Sequence, residues 1–363
     1  MTVDARVSRR DLLGLALATT FSGALALSGC RREVASRLSP RQVNIYSWAD
    51  YLDPGTIPEF ERRYGIRVVY DTFASNEALL AKLQAGAASY DVVVPTSYML
   101  KHFKRLGLLQ TLDKERLANF RFLIDRFRNP AYDPHCEQSV PYTWGTTGIG
   151  YNRLAFASAR AGQPGDWGVF WDSRLSGRMT LLDDAREVLG MALKRRGYSY
   201  NTVDLPLIRQ ACADMIQQKP LNMCYTSDQA IIYLSSGDSL VSLIFSGDAY
   251  QAQRENPQVG YVIPESGASL WVDNMCIPKL APHPENAYRW INFMLEPEVA
   301  AATANYTRYA TPNAAALKRI NPELLSDKNL YPSEAVLSRC DEIADIGPLI
   351  FYYDRMWTEL KCA

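Results

Sequence analysis

Residues 43–70 read VNIYSWADYLDPGTIPEFERRYGIRVVY, and the order of patterns within them sets the fold class. Val43 to Ser47 is a short β-branched and aromatic run, Pro58 to Tyr64 has helical character, and Ile66 to Tyr70 returns to strand. Strand, helix, strand in that order marks an α/β chain with parallel strands. The unit recurs downstream. Ser75-Asn76 predicts the cap of a helix running to about Leu83, with Gly86 behind it. Tyr90-Asp91-Val92-Val93-Val94-Pro95 then reads as a buried parallel strand stopped by proline, and Gly107 to Leu112 as a short connection. Trp144-Gly145-Thr146-Thr147-Gly148-Ile149-Gly150-Tyr151 is extended and glycine-rich, which suits a crossover from one lobe to another. It lacks the G-x-G-x-x-G order, a following Lys and a capped helix, so it is not expected to cradle a nucleotide. A second α/β run follows, with Met179 to Leu182, Leu240 to Phe245 and Gly260 to Ile263 as strands and Asp184 to Lys194 as helix. Leu270 to Ile277 is extended again. Asn286 to Leu295, with Ala287, Trp290, Ile291 and Met294 on one stripe, is an amphipathic helix whose lobe the periodicity leaves open.

Composition agrees with a soluble globular protein of about two domains: 363 residues, 47% hydrophobic and 21% charged. The 39 Lys+Arg and 39 Asp+Glu cancel, so no basic field exists to hold nucleic acid or an anionic membrane surface. Charge-based recognition must be local.

Ahead of the fold, Arg6, Arg9 and Arg10 precede an apolar stretch from Leu12 to Leu27, too short and small-residue-rich to span a bilayer stably. Residues 1–29 therefore read as a signal peptide. Ser8-Arg9-Arg10-Asp11-Leu12-Leu13 resembles the twin-arginine export motif, and Leu27-Ser28-Gly29-Cys30 resembles a lipobox whose cysteine is acylated. The expectation is an exported lipoprotein of the periplasm or cell envelope, held to a membrane through Cys30, with residues 30–40 as linker. The other cysteines, at 136, 212, 224, 276, 340 and 362, have no C-x-x-C spacing, and their pairing stays open.

Catalysis has little support. The three histidines, His102, His135 and His283, stand near no nucleophile elbow, twin-carboxylate motif or second metal ligand, and each is expected at the surface. Cys136, in a polar loop beside His135, is not expected to be a nucleophile. No metal and no cofactor are implied. The informative feature is aromatics interleaved with carboxylates where strands end, the crevice side of an open α/β sheet. Trp48-Ala49-Asp50-Tyr51 and Thr96-Ser97-Tyr98 each follow a strand, and Phe245-Ser246-Gly247-Asp248 repeats the theme. On Trp271-Val272-Asp273 the period of two puts indole and carboxylate on one face, where an ammonium could meet both. Asp184-Ala185-Arg186-Glu187 is ambiguous, since Asp with Glu three residues on is also a capping box. A cation there would face the positive end of a helix, worth about 0.3–1 kcal/mol, which two carboxylates can outweigh.

At these residues the sequence resembles the spermidine/putrescine-binding proteins of bacterial polyamine ABC transporters. The likeness runs from Val43 to the C-terminal helix, and its marks are Tyr46 to Tyr51, Tyr90 to Pro95 with Tyr98, Pro141 to Gly145, Leu182 to Val188, Trp271-Val272-Asp273, Tyr309 to Asn313 and Leu330-Tyr331-Pro332. The resemblance implies a two-lobed periplasmic-binding-protein fold with an interlobe cleft and crossover hinge strands, lobe 1 being residues 41–147 and 273–318 and lobe 2 residues 148–272 and 319–363. It implies a monomer that binds a polyamine and delivers it to permease subunits, not an enzyme. Carried over, Trp48, Tyr51, Tyr98, Trp271 and Tyr309 form the aromatic box. Asp184, Glu187 and Asp273 take the amines, and Thr96 and Ser227 give minor polar contacts; Asp50, Phe245 and Asp248 complete the candidate site. Phe245 stands where tryptophan is usual, and Ile343 where the spermidine-type pattern offers glutamine. Asp248 resembles the putrescine-type branch, whereas Asp-Asp-Ala-Arg-Glu and Trp-x-Asp resemble the spermidine type, so spermidine is favoured and putrescine next. The rival readings are a two-lobed binder of an oxyanion or amino acid, which demands Arg or Lys in the cleft, and a secreted hydrolase.

Overall fold

The computed structural model describes residues 41–363 apart from 74, 87–88 and 159–161; the expected signal peptide, lipobox and linker lie outside the described residues. Strands β1 (Gln42–Ser47), β2 (Arg67–Thr72) and β3 (Val92–Val93) form a parallel sheet in the order β2-β1-β3. Ile45 lies between Tyr70 and Val92 in register. The connecting helix Thr56–Tyr64 buries Phe60 against Trp290 and Phe293, with ring centroids 5.0 and 5.3 Å away. It stops at Gly65, whose left-handed backbone (φ 61°) returns its N–H to the Glu61 carbonyl. The next crossover helix, Asn76–Gln84, is capped as expected, Ser75 Oγ accepting from the Ala78 N–H at 3.1 Å. The third strand is shorter than the six residues its apolar run suggests. Pro95 has no N–H to continue the ladder, and at Ser97 the chain turns into the helix Ser97–Arg105.

The second sheet contains β4 (Val140–Asn152), β5 (Met179–Leu181), β6 (Cys224–Tyr225), β7 (Val241–Phe245), β8 (Val259–Val262), β9 (Ser269–Met275) and β10 (Asp341–Glu342). Its order is β10-β9-β4-β7-β5-β6, with β8 also on β4. β5, β6 and β7 are parallel, whereas β4 runs antiparallel to β7, β8 and β9. β4 and β9 also reach the first sheet: just past β9, Cys276 exchanges two backbone hydrogen bonds with Val93, at 2.9 and 2.8 Å, and Asn274 N–H donates to the Pro95 carbonyl. The glycine-rich run is thus a crossover strand, and with β9 it ties two α/β lobes together.

One expectation needs correction. His283 is not at the surface: its side chain is 8% exposed, and its backbone N–H and Nδ1 both face Asp91, which is itself fully buried. Cys136 does sit in the segment with Asp133, Pro134 and His135, and its side chain is wholly buried, the Sγ 3.3 Å from the Phe127 carbonyl, with burial pushing the thiol up to about 12. A thiol so held is protonated at neutral pH. All six described cysteines are free.

Candidate functional site

A cavity of about 680 Å³ opens between the lobes, and every candidate residue named from the sequence lines it. From the first lobe, Trp48, Asp50 and Tyr51 arrive on the turn after β1. Asp50 takes a left-handed backbone (φ 52°), a conformation Asp tolerates better than most residues. Trp48 Nε1 is fixed by the Val94 carbonyl at 3.0 Å, and the Tyr51 carbonyl accepts from the Tyr142 hydroxyl at 2.6 Å. Thr96 and Tyr98, at the start of the Ser97–Arg105 helix, are held by one amide: Asn76 Nδ2 donates to Thr96 Oγ1 at 3.1 Å and to the Tyr98 hydroxyl at 3.0 Å.

The crossover strands supply the deepest wall. Trp271 and Asp273 share a face of β9 as the period of two requires, opposite Gly145 and Thr143 on β4. A Cβ on Gly145 would lie 2.7 Å from Trp271 Cζ2, so only glycine lets the indole lie across the neighbouring strand. Trp271 meets Phe245 at 5.8 Å and Tyr309 at 5.4 Å, and Tyr309 meets Tyr51 at 5.2 Å, all edge to face. Asp273 is 4% exposed; its Oδ2 accepts from the Tyr51 hydroxyl, and Thr143 Oγ1 donates to that hydroxyl at 2.9 Å. Its Oδ1 and the Trp271 Nε1 are buried without a hydrogen-bond partner, although the Thr96 hydroxyl is near enough to favour the ionised carboxyl. Burying polar atoms unpaired is costly, which makes Oδ1 suited to a guest that donates, whereas the Nε1–H would need an acceptor.

From the second lobe come Asp184, Glu187, Ser227, Phe245 and Asp248. Asp184 caps the helix Ala185–Arg195, Oδ1 accepting from the Arg186 and Glu187 N–H groups at 2.8 and 3.0 Å. The capping box is only half made. Glu187, 3% exposed, turns instead to Ser269 Oγ at 2.8 Å and Thr147 Oγ1 at 2.9 Å on the crossover strands. Asp184 therefore serves its helix and lines the cavity at once. Asp248 begins the helix Ser246–Glu255 and accepts from the Tyr309 hydroxyl, which bridges the two sides of the cleft.

These carboxyls have lost much of their water. Desolvation, with Asp184's charge second, pushes Glu187 up to about 8. Desolvation lifts Asp248 to about 7, despite the Tyr309 hydroxyl, and Asp273 to about 6, despite that of Tyr51. Asp184 is also raised, its two cap N–H groups pulling the other way. Of the two cations at the cavity, Lys361 is paired with a carboxylate, whereas Arg186 is held by neutral oxygens and keeps its Nε buried without a partner. Arg186 binds the Ala344 carbonyl at 3.0 Å and Asn201 Oδ1 at 3.1 Å, and Lys361 pairs with Asp183 at 3.2 Å. Among the described residues no group of His, Cys, Asp and Glu is placed to hold a metal ion.

Sequence reasoning missed part of the lining: Phe73, Glu77, Tyr225, Asp228 and, on the C-terminal helix Ile350–Cys362, Ile350, Asp354, Trp357 and Lys361. That last set is spaced 4, 3 and 4 apart, one face of a helix, and the spacing was there to be read.

A two-lobed α/β molecule with a desolvated, aromatic and acidic slot between its lobes is a solute-binding protein in form. The family profile of bacterial extracellular solute-binding proteins matches residues 56–331, and the chain belongs to that family. It is 34% identical over 341 residues to the spermidine/putrescine-binding periplasmic protein of Salmonella typhimurium, covering 94% of this chain and 96% of that one. It is 33% identical over 338 residues to a putrescine/cadaverine-binding protein of Pseudomonas aeruginosa, covering 90% and 95%. The solved spermidine/putrescine ABC transporter substrate-binding protein of Streptococcus pneumoniae superposes with a TM-score of 0.77 at 33% identity, over 89% of this chain and 99% of that one. The TpPotD lipoprotein of Treponema pallidum gives 0.78 at 32%, over 88% and 99%. The fold is that of periplasmic binding proteins.

Proposed function

We propose that this protein is the extracytoplasmic receptor of an ABC importer for polyamines, with spermidine preferred and putrescine next, and that it hands its ligand to the membrane permease. The observation that carries the reading is Asp273: a buried carboxyl with one unpartnered oxygen, beside a ring of indoles and phenols, in a cleft where carboxylates outnumber the two cations and Lys361 is already paired. An ammonium supplies the missing donor and charge, and the ring faces supply about 0.5 to 2 kcal/mol per cation. The names of the relatives, which bind spermidine, putrescine or cadaverine, point the same way. An oxyanion or amino acid would need a free guanidinium or ammonium in the cleft. In this reading residues 41–147 and 273–318 form one lobe and 148–272 and 319–363 the other. They hinge on β4 and β9 and close because the ligand touches both sides. Cys30 carries the lipid after twin-arginine export, and the protein works as a monomer.

A thermal-shift panel of spermidine, putrescine, spermine, arginine and sulfate tests the reading, because a ligand at about 100 times its Kd adds about 2.7 kcal/mol of stability. Polyamines should raise the melting temperature and sulfate should not. A shift with sulfate or arginine alone would overturn the assignment.

The raised carboxyls add a pH signature. A bound ammonium favours ionised carboxylates, so affinity should climb as pH rises from about 6 to about 8, with protons released on binding. The free protein should behave oppositely. Its folded state holds protons that the unfolded chain gives up near pH ~4, so these groups lower its stability as pH rises from about 4 through the folded values of about 6 to 8. Calorimetry in buffers of different ionisation enthalpy reads the released protons. Flat affinity without proton release would contradict the picture.

A further inference from the structure

We propose that the cleft has an arm, walled by Tyr225 and Trp357, that takes an extra aminoalkyl segment, so that the protein also receives a linear tetraamine. The inference rests on the polyamine reading of the main site and names the longest ligand that site would accept. The candidate residues read from the sequence account for only one part of the cavity. Beyond Asp184 it continues along the C-terminal helix, whose Ile350, Asp354 and Trp357 face inward. The Trp357 and Tyr225 rings stand 5.1 Å apart at 78°, an edge-to-face corner that packs against the core and also lines the cavity. Ile231, Ile343 and Ile350 line the same cavity, an apolar surface for methylene groups and no use to a bare ammonium. Glu77, near enough to Asp184 to feel its charge, and Asp354 are exposed acids in the same lining, neither in an ion pair among the described residues. Lys361 lies over the Trp357 ring at 5.0 Å but is held by Asp183, so the ring already shows its capacity for a cation while leaving both acids unpaired. Alternating methylene and ammonium groups are what this sequence of apolar wall, aromatic corner and carboxylates would read.

Calorimetric titration of the mature chain and of its Trp357→Ala and Asp354→Asn variants with spermidine and with spermine tests the arm. Wild type should bind spermine as well as spermidine, each with a measurable Kd. Each variant should weaken spermine roughly threefold to tenfold, the scale of a lost cation–ring or exposed charge contact, and shift spermidine by less than about twofold. Equal losses for both ligands, no loss for either, or wild type that binds spermidine and ignores spermine would each overturn the arm while leaving the main reading standing. Wild type that binds neither ligand would sink the main reading, and the arm with it.

Discussion

Replacing Asp273 by Asn should weaken spermidine binding about thirtyfold or more, roughly 2 kcal/mol, while leaving the fold intact. Asn matches Asp in shape, and its amide oxygen can still accept the Tyr51 hydroxyl that Thr143 steadies. What it cannot do is carry charge. The ammonium would lose its compensating carboxylate in a pocket where water cannot replace it, and the oxygen now left without a partner would remain unmatched or become a donor facing a donor. The free protein should respond in the other direction. Burial lifts this carboxyl to about 6, so above that pH the native state bears a poorly hydrated charge that Asn removes. The expected result at pH 8 is therefore a paired one: titration calorimetry reports a large loss of affinity, and the melting temperature without ligand is unchanged or higher. Undiminished affinity would remove Asp273 from the site and take the central argument with it.

Gly247→Ala should cost at least about tenfold in affinity through a single methyl group that never touches the ligand. Gly247 sits in the first turn of the Ser246–Glu255 helix without a positive φ, and helix propensity by itself favours Ala there by roughly 0.5–1 kcal/mol. Space reverses the sign. The new Cβ would lie 2.4 Å from Tyr309 Cε1 and 2.5 Å from Cδ1 and Cζ, all carbons of a ring wedged between Tyr51 and Trp271. Such overpacking costs typically 1–3 kcal/mol, and here relief requires Tyr309 to leave both its aromatic neighbours and Asp248. Gly168→Ala, where an added Cβ meets nothing within 4 Å and the backbone needs no left-handed φ, is the matched control and should bind as the wild type does. Equal affinities for the two variants would mean that Tyr309 does not shape the cleft.

Much of the architecture was legible because it is local. Strand-helix-strand alternation, the Ser75 cap and the Gly65 stop are set by residues a few positions apart, and the structure realises each with the hydrogen bond the residue type offers. The Trp271/Asp273 pairing followed from pleat geometry alone. Where local rules failed, a distant partner had intervened. His283 looks like a surface residue because no catalytic or metal partner stands near it in sequence, yet Asp91, 192 positions away, draws it inside. Glu187 satisfies the spacing of a capping box, yet hydroxyls of two other strands claim its carboxylate.

The sequence by itself determined the fold class, the strand-end positions of Trp48, Asp50, Tyr51, Thr96, Tyr98 and Asp248, and the shared face of Trp271 and Asp273. It could do so because backbone propensity and side-chain period are properties of neighbouring residues. Only the tertiary structure decided that segments from Trp48 to Lys361 converge on one void, that Lys361 is paired with Asp183 there, and that Asp273 keeps one oxygen unpaired. Those are matters of desolvation and of partners hundreds of positions apart, and a charge's water and its neighbours exist only once the chain has folded.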